Sequence, residues 1–146
     1  HKGLDSGSGL GSSAASSVAA AVATAAVVCP EVDLADLLDA TREGERLATG
    51  APHPDNVAPS LLGGLVACVV REAEVVEAMG LSVAQGIVMV TVSPAIQIPT
   101  AAGRAVMPAH YSLEDVVANM SRVAGLVSGF ASGDLDRIGG VECDRI

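Results

Sequence analysis

The sequence predicts an α+β chain in which helices outnumber strands, and three observations predict it. Long stretches carry apolar residues at helical spacing between recognisable helix starts and stops. Only two short runs, Leu65–Val70 and Gly86–Val92, read as strands, and both are rich in Val. The apolar half of the chain is built from Ala, Val, Leu and Ile, with Tyr111 and Phe130 its only aromatics. Small side chains of that kind favour close packing of helices on a sheet.

Each element has its own signal. Residues 1–4 could end a strand, and Asp5–Gly11 is a glycine/serine loop. Ser12–Val28 then reads as a helix of small residues stopped by Pro30. Asp33 is a candidate N-cap for a helix over Leu34–Thr49, closed by Gly50. In that helix Leu34, Leu37, Leu38 and Leu47 form an imperfect apolar stripe, and Asp39, Arg42, Glu43 and Arg46 fall on the wet side. Ala51–Asn56 is a turn carrying Pro52, His53, Pro54 and Asp55, and a short helix follows over Val57–Leu62. Gly63 and Gly64 introduce the strand Leu65–Val70. Arg71–Ala84 is charged, then apolar, and reads as a connection with a short element of its own.

Gly86–Val92 is continuous in Ile, Val and Met and predicts a strand buried on both faces. Ser93–Pro99 is a loop, and Thr100–Val106 a short helix stopped before Pro108. Ser112, with Glu114 and Asp115 in the first turn, starts a longer helix through Ala131. A last helix runs over Asp134–Gly139. Two short strands do not make an independently stable sheet, so their partners are expected outside these residues. The chain also begins at His1 rather than Met and ends at Ile146 directly after a helix. The expectation is a piece of a longer protein.

Composition narrows the function. A formal charge of −9 opposes binding to nucleic acid, whose affinity comes mainly from Lys and Arg, and the near-absence of aromatics opposes base stacking. A mononucleotide could still bind through backbone N–H groups at a helix start. Cys29, Cys68 and Cys143 form neither a disulfide framework nor a metal-binding pair, which makes a reducing, cytoplasmic setting the default. Ala14–Val28 is apolar, but it follows a polar loop with Lys2 as its only preceding cation. It is too short and too polar for a membrane span, and it makes a poor signal peptide.

The strongest motif is Gly7-Ser8-Gly9-Leu10-Gly11-Ser12-Ser13-Ala14-Ala15-Ser16. Glycines let the backbone turn sharply and approach a ligand closely. The helix that follows aims its unpaired N–H groups and positive dipole end into the loop, which suits a triphosphate. The hydroxyl of Ser12 or Ser13 could reach a phosphate-bound Mg²⁺. No Lys-Ser/Thr pair closes the loop, so it is not a Walker A sequence. A flexible linker capping an Ala-rich helix is the plainer alternative.

This run resembles the phosphate-binding motif of the GHMP kinases. It departs at Asp5, where the family carries a Pro, and an acidic side chain there would oppose a phosphate unless it points away. A second stretch, Gly44-Glu45, then His53-Pro54-Asp55-Asn56-Val57-Ala58-Pro59 and Gly63-Gly64, is similar to the homoserine kinases among them. Taken alone, these residues serve equally well as helix charge, cap and turn. A third stretch, Val92-Ser93-Pro94, Pro99-Thr100, Arg104 and Met107-Pro108, resembles the same group. Thr100 and Arg104 share a helix face at i, i+4, and a guanidinium fork suits a carboxylate.

The resemblance implies an incomplete GHMP-kinase fold. Residues 1–84 would be the second half of the N-terminal, ATP-binding domain, which is ribosomal protein S5 domain 2-like. Residues 85–146 would start the ferredoxin-like C-terminal domain. It implies ATP held by Gly7, Ser8, Gly9, Leu10, Gly11, Ser12, Ser13 and Ala14, and Mg²⁺ held by Ser13 and Glu45. L-homoserine would be bound by His53, Asn56, Thr100 and Arg104, with Asn56 and His53 as the catalytic pair, in a possible homodimer. The reaction implied is transfer of the ATP γ-phosphoryl to the homoserine hydroxyl, a step in threonine biosynthesis. Asn56 cannot usefully accept a proton, so the phosphate itself is the expected acceptor, with His53 the alternative base. A different GHMP kinase, or an inactive or interaction-only domain, are the rival readings.

Overall fold

A computed structural model describes residues 2–71, 76–92 and 100–140. Among them are six helices and two strands. They fall into two compact units that divide between Gly80 and Leu81.

The first unit is a helical layer over a two-stranded sheet. Helix α1 (Ser12–Val28) packs on α2 (Leu34–Thr49) and on α3 (Pro54–Leu62). Strands β1 (Leu65–Val70) and β2 (Val76–Leu81) pair beside α3. Helix α2 runs between the two caps that the sequence marks. Asp33 accepts the Asp36 N–H at 2.8 Å, and Gly50 closes the far end with φ 89°. The core is small and made of small residues: Ala14, Val18, Leu38, Val57, Ala58 and Val76, with Val66, Cys68 and Ala78 from the sheet against it. In β2, Val76 and Ala78 turn inward and Glu77 and Met79 outward, the two-residue alternation of a sheet with one covered face.

Helix α3 begins three residues earlier than the sequence predicts. Pro54 occupies its first position, where a fixed φ is suited to helix and the missing N–H loses no bond. Asp55 and Asn56 therefore sit in the first helical turn and not in a preceding loop.

The second unit is built around α5 (Leu113–Ser132), with the short helices α4 (Thr100–Ala105) and α6 (Leu135–Gly139). Ser112 caps α5 by accepting the Asp115 N–H at 3.0 Å. Helix α6 folds back on α5 at Gly129, where a Cβ would crowd Ile138 Cγ1 at 2.8 Å. The predicted strand Gly86–Val92 is not formed. Residues 87–92 have no ladder partner among the described residues, and Val88, Met89, Val90 and Val92 are exposed. An apolar run records a preference for burial, but a strand also needs a neighbour to bond with. Nor do residues 2–4 form a strand. The predicted loop at 93–99, with Ser93, Pro94 and Pro99, lies outside the described residues, as do Cys143 and Ile146. No helix among the described residues is long and apolar enough to cross a membrane.

Candidate active site

The glycine loop is held in shape by its own backbone. Gly7, Gly9 and Gly11 alternate with φ of 78°, 75° and 70°, values that side-chain-bearing residues rarely adopt. The Asp5 carbonyl accepts the Ser8 hydroxyl at 2.8 Å, while the Asp5 side chain is exposed. Ser12 is buried, and its hydroxyl donates to the Leu4 carbonyl at 2.9 Å, closing the loop base. No side chain caps α1. The first backbone bond runs from the Ala15 N–H to the Gly11 carbonyl at 2.9 Å. The N–H groups of Ser12, Ser13 and Ala14 therefore have no acceptor within the helix and aim into the loop.

One hydroxyl step further on, Ser13 leaves the loop and reaches α2, donating to Glu45 Oε1 at 3.0 Å. Of the two serines that sequence offers as metal ligands, Ser12 is thus committed to the loop and Ser13 to the carboxylate. Glu45 is only 6% exposed, and its other oxygen, Oε2, is buried with no hydrogen-bond partner. A carboxylate oxygen withdrawn from water without a donor is unfavourable, and a cation is the usual remedy. The donor set suits Mg²⁺, a hard ion that accepts one or two protein oxygens and takes the rest from phosphate and water. Among the described residues no group of three or more His, Cys, Asp or Glu side chains is placed to hold a metal ion, so Glu45 would have to share the cation with Ser13, phosphate and water.

Close contact of α1 with α2 makes this pairing possible. At Gly44, beside Glu45, a methyl group would overlap the Ser17 hydroxyl, which itself donates to the Thr41 carbonyl at 2.8 Å. From the loop an open cleft of about 880 Å³ runs between the two helices. Lys2, Ser6 and Ser13 line its loop end, and Ala20, Ala40 and Gly44 are among the small residues along it.

Helix α3 brings the third component. A Cβ at Gly11 would stand 3.1 Å from Asn56 Oδ1, so the amide lies directly against the loop. His53 is the half-buried N-cap residue of the same helix, though its side chain makes no capping bond. Below α3, the Cys68 thiol faces the Pro54 carbonyl at 3.8 Å. Burial, and behind it the charge of Asp55, pushes that thiol up, which leaves it a poor nucleophile.

Gly11, Ser13, Glu45 and Asn56 thus converge in the first unit. Thr100 and Arg104 belong to α4 in the second unit, and their side chains lie outside what the structure describes. Sequence reasoning missed two contributors. Arg42, assigned to the wet side of α2, is nearly covered, with a side chain 11% exposed. Ser17 reads as one more small residue of α1. The available signal was Gly44, an interior helix glycine that weakens a helix without some packing reason.

A buried carboxylate beside a glycine loop at a helix start is suited to holding a phosphate and its cation. Residues 1–64 match the family model for the GHMP kinases N terminal domain. Within that family its similarity runs along the chain to homoserine kinases. The homoserine kinase of Moorella thermoacetica is 41% identical over 148 residues, covering 100% of this chain and 47% of that protein. That of Pyrococcus horikoshii is 36% identical over 145 residues, covering 99% and 48%. The crystal structure of homoserine kinase from Cytophaga hutchinsonii superposes with a TM-score of 0.84 at 36% identity, covering 99% of this chain and 45% of that one. The chain spans about half the length of the curated relatives it matches.

Proposed function

We propose that the protein carrying this chain transfers the γ-phosphoryl group of ATP to the hydroxyl of L-homoserine. The observation that carries this reading is the Ser13–Glu45 pair, with Glu45 Oε2 buried and unpartnered at the mouth of a glycine loop. The backbone N–H groups of residues 12–14 would hold phosphate oxygens at the positive end of α1. The nucleoside would lie in the cleft between α1 and α2, whose small side chains leave room for a flat base. Ser13 and Glu45 would hold Mg²⁺, which when bound neutralises charge on the phosphates.

The acceptor would sit beyond Asn56. The amide is placed to orient the hydroxyl, with His53 at the other end of the same helical turn. Phosphoryl transfer depends chiefly on position and on charge neutralisation. An amide does not take a proton, so the transferred phosphate takes the hydroxyl proton in this reading. Thr100 and Arg104 would bind the amino acid, the guanidinium forking onto its carboxylate. Residues 1–84 would then serve mainly ATP and 85–146 mainly the acceptor.

The test is ADP release coupled to an optical readout, with ATP, Mg²⁺ and a panel of small alcohols, in the complete protein. Homoserine-dependent ADP, with O-phosphohomoserine identified by mass, is the expected result. ADP release that follows another alcohol would keep the kinase and replace the substrate. A folded protein that releases none with any of them would remove the activity altogether.

A further inference from the structure

Arg42 lies on α2 three residues before Glu45, so the two leave neighbouring positions on one side of the helix. Its side chain is only 11% exposed, unusual for an arginine. The ion pair with Asp39 does not account for that burial. Its partner, Asp39, is 65% exposed, and an ion pair so open to water contributes little.

Its bond to the main chain is distinctive. Arg42 Nε donates to the Pro52 carbonyl at 3.2 Å, while Nη1 reaches Asp39 Oδ1 at 2.8 Å. Pro52 belongs to the turn between α2 and α3. That turn leaves α2 at Gly50 and is folded by the His53 N–H on the Ala51 carbonyl at 2.9 Å, with Thr49 Oγ1 on the same carbonyl at 3.1 Å. The next residue is His53. Three residues later comes Asn56, set against Gly11. A single guanidinium thus fastens the helix bearing Glu45 to the turn that aims His53 and Asn56. Its planar fork reaches both Pro52 and Asp39 in fixed directions, which a lysine ammonium does not reproduce.

We propose that Arg42 is a positioning residue that, through its bond to the Pro52 carbonyl, sets His53 and Asn56 in register with Ser13 and Glu45 for the acceptor alcohol. The proposal rests on the kinase reading of the site. It predicts a selective defect. Loss of the clamp shifts the acceptor side of the site, whereas the phosphate loop is built from α1 and held by Leu4 and Asp5.

The experiment compares Arg42→Met, Arg42→Lys and Arg42→Ala with Asp39→Asn in the complete protein. KM for the acceptor should rise about tenfold or more in all three Arg42 variants, as a small misplacement of a reacting group can cost more than that. KM for ATP should move less than about twofold, since the loop keeps its own bonds. Asp39→Asn, which spares the Pro52 bond, should behave as wild type. Guanidinium ion, well below denaturing concentration, should restore the acceptor KM of Arg42→Ala. If both KM values rise together, in step with lost thermal stability, Arg42 is only a structural residue and the proposal fails. Hydrogen exchange of residues 50–57, measured against α1, reports the clamp without any substrate. Faster exchange there in Arg42→Met, with α1 unchanged, is expected, and unaltered exchange overturns the clamp. If wild type releases no acceptor-dependent ADP, the kinase reading falls by itself and the exchange measurement decides the clamp.

Discussion

At the scale of single residues, Glu45 separates function from stability. A folded protein seldom keeps a buried carboxylate oxygen without a donor, because the charged form loses its hydration there. Ser13 satisfies Oε1 and nothing among the described residues satisfies Oε2. Glu45→Gln keeps the size and removes the charge. Its thermal midpoint is expected to equal or exceed that of the parent, while kcat/KM falls about a hundredfold or more, since a bound metal contributes several kcal/mol to such reactions. The required Mg²⁺ concentration should rise with it. A midpoint several degrees lower, with activity reduced only in proportion, would make Glu45 a structural prop instead. Arg42 is its counterpart one turn away, a nearly covered residue bonded to the turn that leads to His53.

At the scale of elements, the site depends on how closely α1 and α2 approach. Gly44 is a contact residue: an added methyl would meet the Ser17 hydroxyl, with Ser17 Cβ at 3.1 Å behind it. Alanine is the better helix former by about 1 kcal/mol, so an isolated helix would gain from Gly44→Ala. In the packed pair the sign should reverse, with a net loss of about 1–3 kcal/mol from overpacking. Chemical denaturation of the complete protein measures it. Adding Ser17→Gly should return part of that loss, and the non-additivity of the double-mutant cycle reports the contact. Purely additive effects would place the clash elsewhere.

The same scale explains what could be read in the chain beforehand. Local chemistry marks α1, α2 and α5 within a residue or so, through the glycine loop, Asp33, Gly50 and Ser112. It marks the glycine loop for the same reason, since a loop or a cap is defined by its neighbours in sequence, whereas Glu45 stands out from the other helix charges only through the resemblance. The pairing of Ser13 with Glu45, 32 residues apart, follows once α1 and α2 pack. What failed depends on partners distant in sequence. Gly86–Val92 has the apolar content of a strand and no strand beside it among the described residues. Arg42 looked solvated because Asp39, Glu43 and Arg46 share its side of the helix, and the turn that accepts its Nε returns from beyond the helix end.

At the scale of the whole molecule, the apolar surface is incompletely used. Beside Val88, Met89, Val90 and Val92, helix α5 exposes Leu113, Val116, Val117, Met120 and Val123, a stripe at helical spacing. In the first unit Val27, Val28 and Leu47 are exposed as well. Burying one such side chain yields about 1.5–3 kcal/mol, so a native protein rarely leaves so many in water together. Among the described residues the sheet of the first unit has two strands, which is too few to stand alone in water. The chain also spans about half the length of its curated relatives. Residues 1–146 made alone are therefore expected to bind a hydrophobic dye strongly, to unfold without a sharp transition and to release no homoserine-dependent ADP. The complete protein is expected to exclude the dye and to melt cooperatively. Dye fluorescence and calorimetry on the two forms, at matched concentration, make the comparison. A sharp calorimetric transition without dye binding in residues 1–146 would mean that these faces are ordinary surface and that the two units need no cover. If activity accompanied it, every group the reaction requires would lie within these 146 residues.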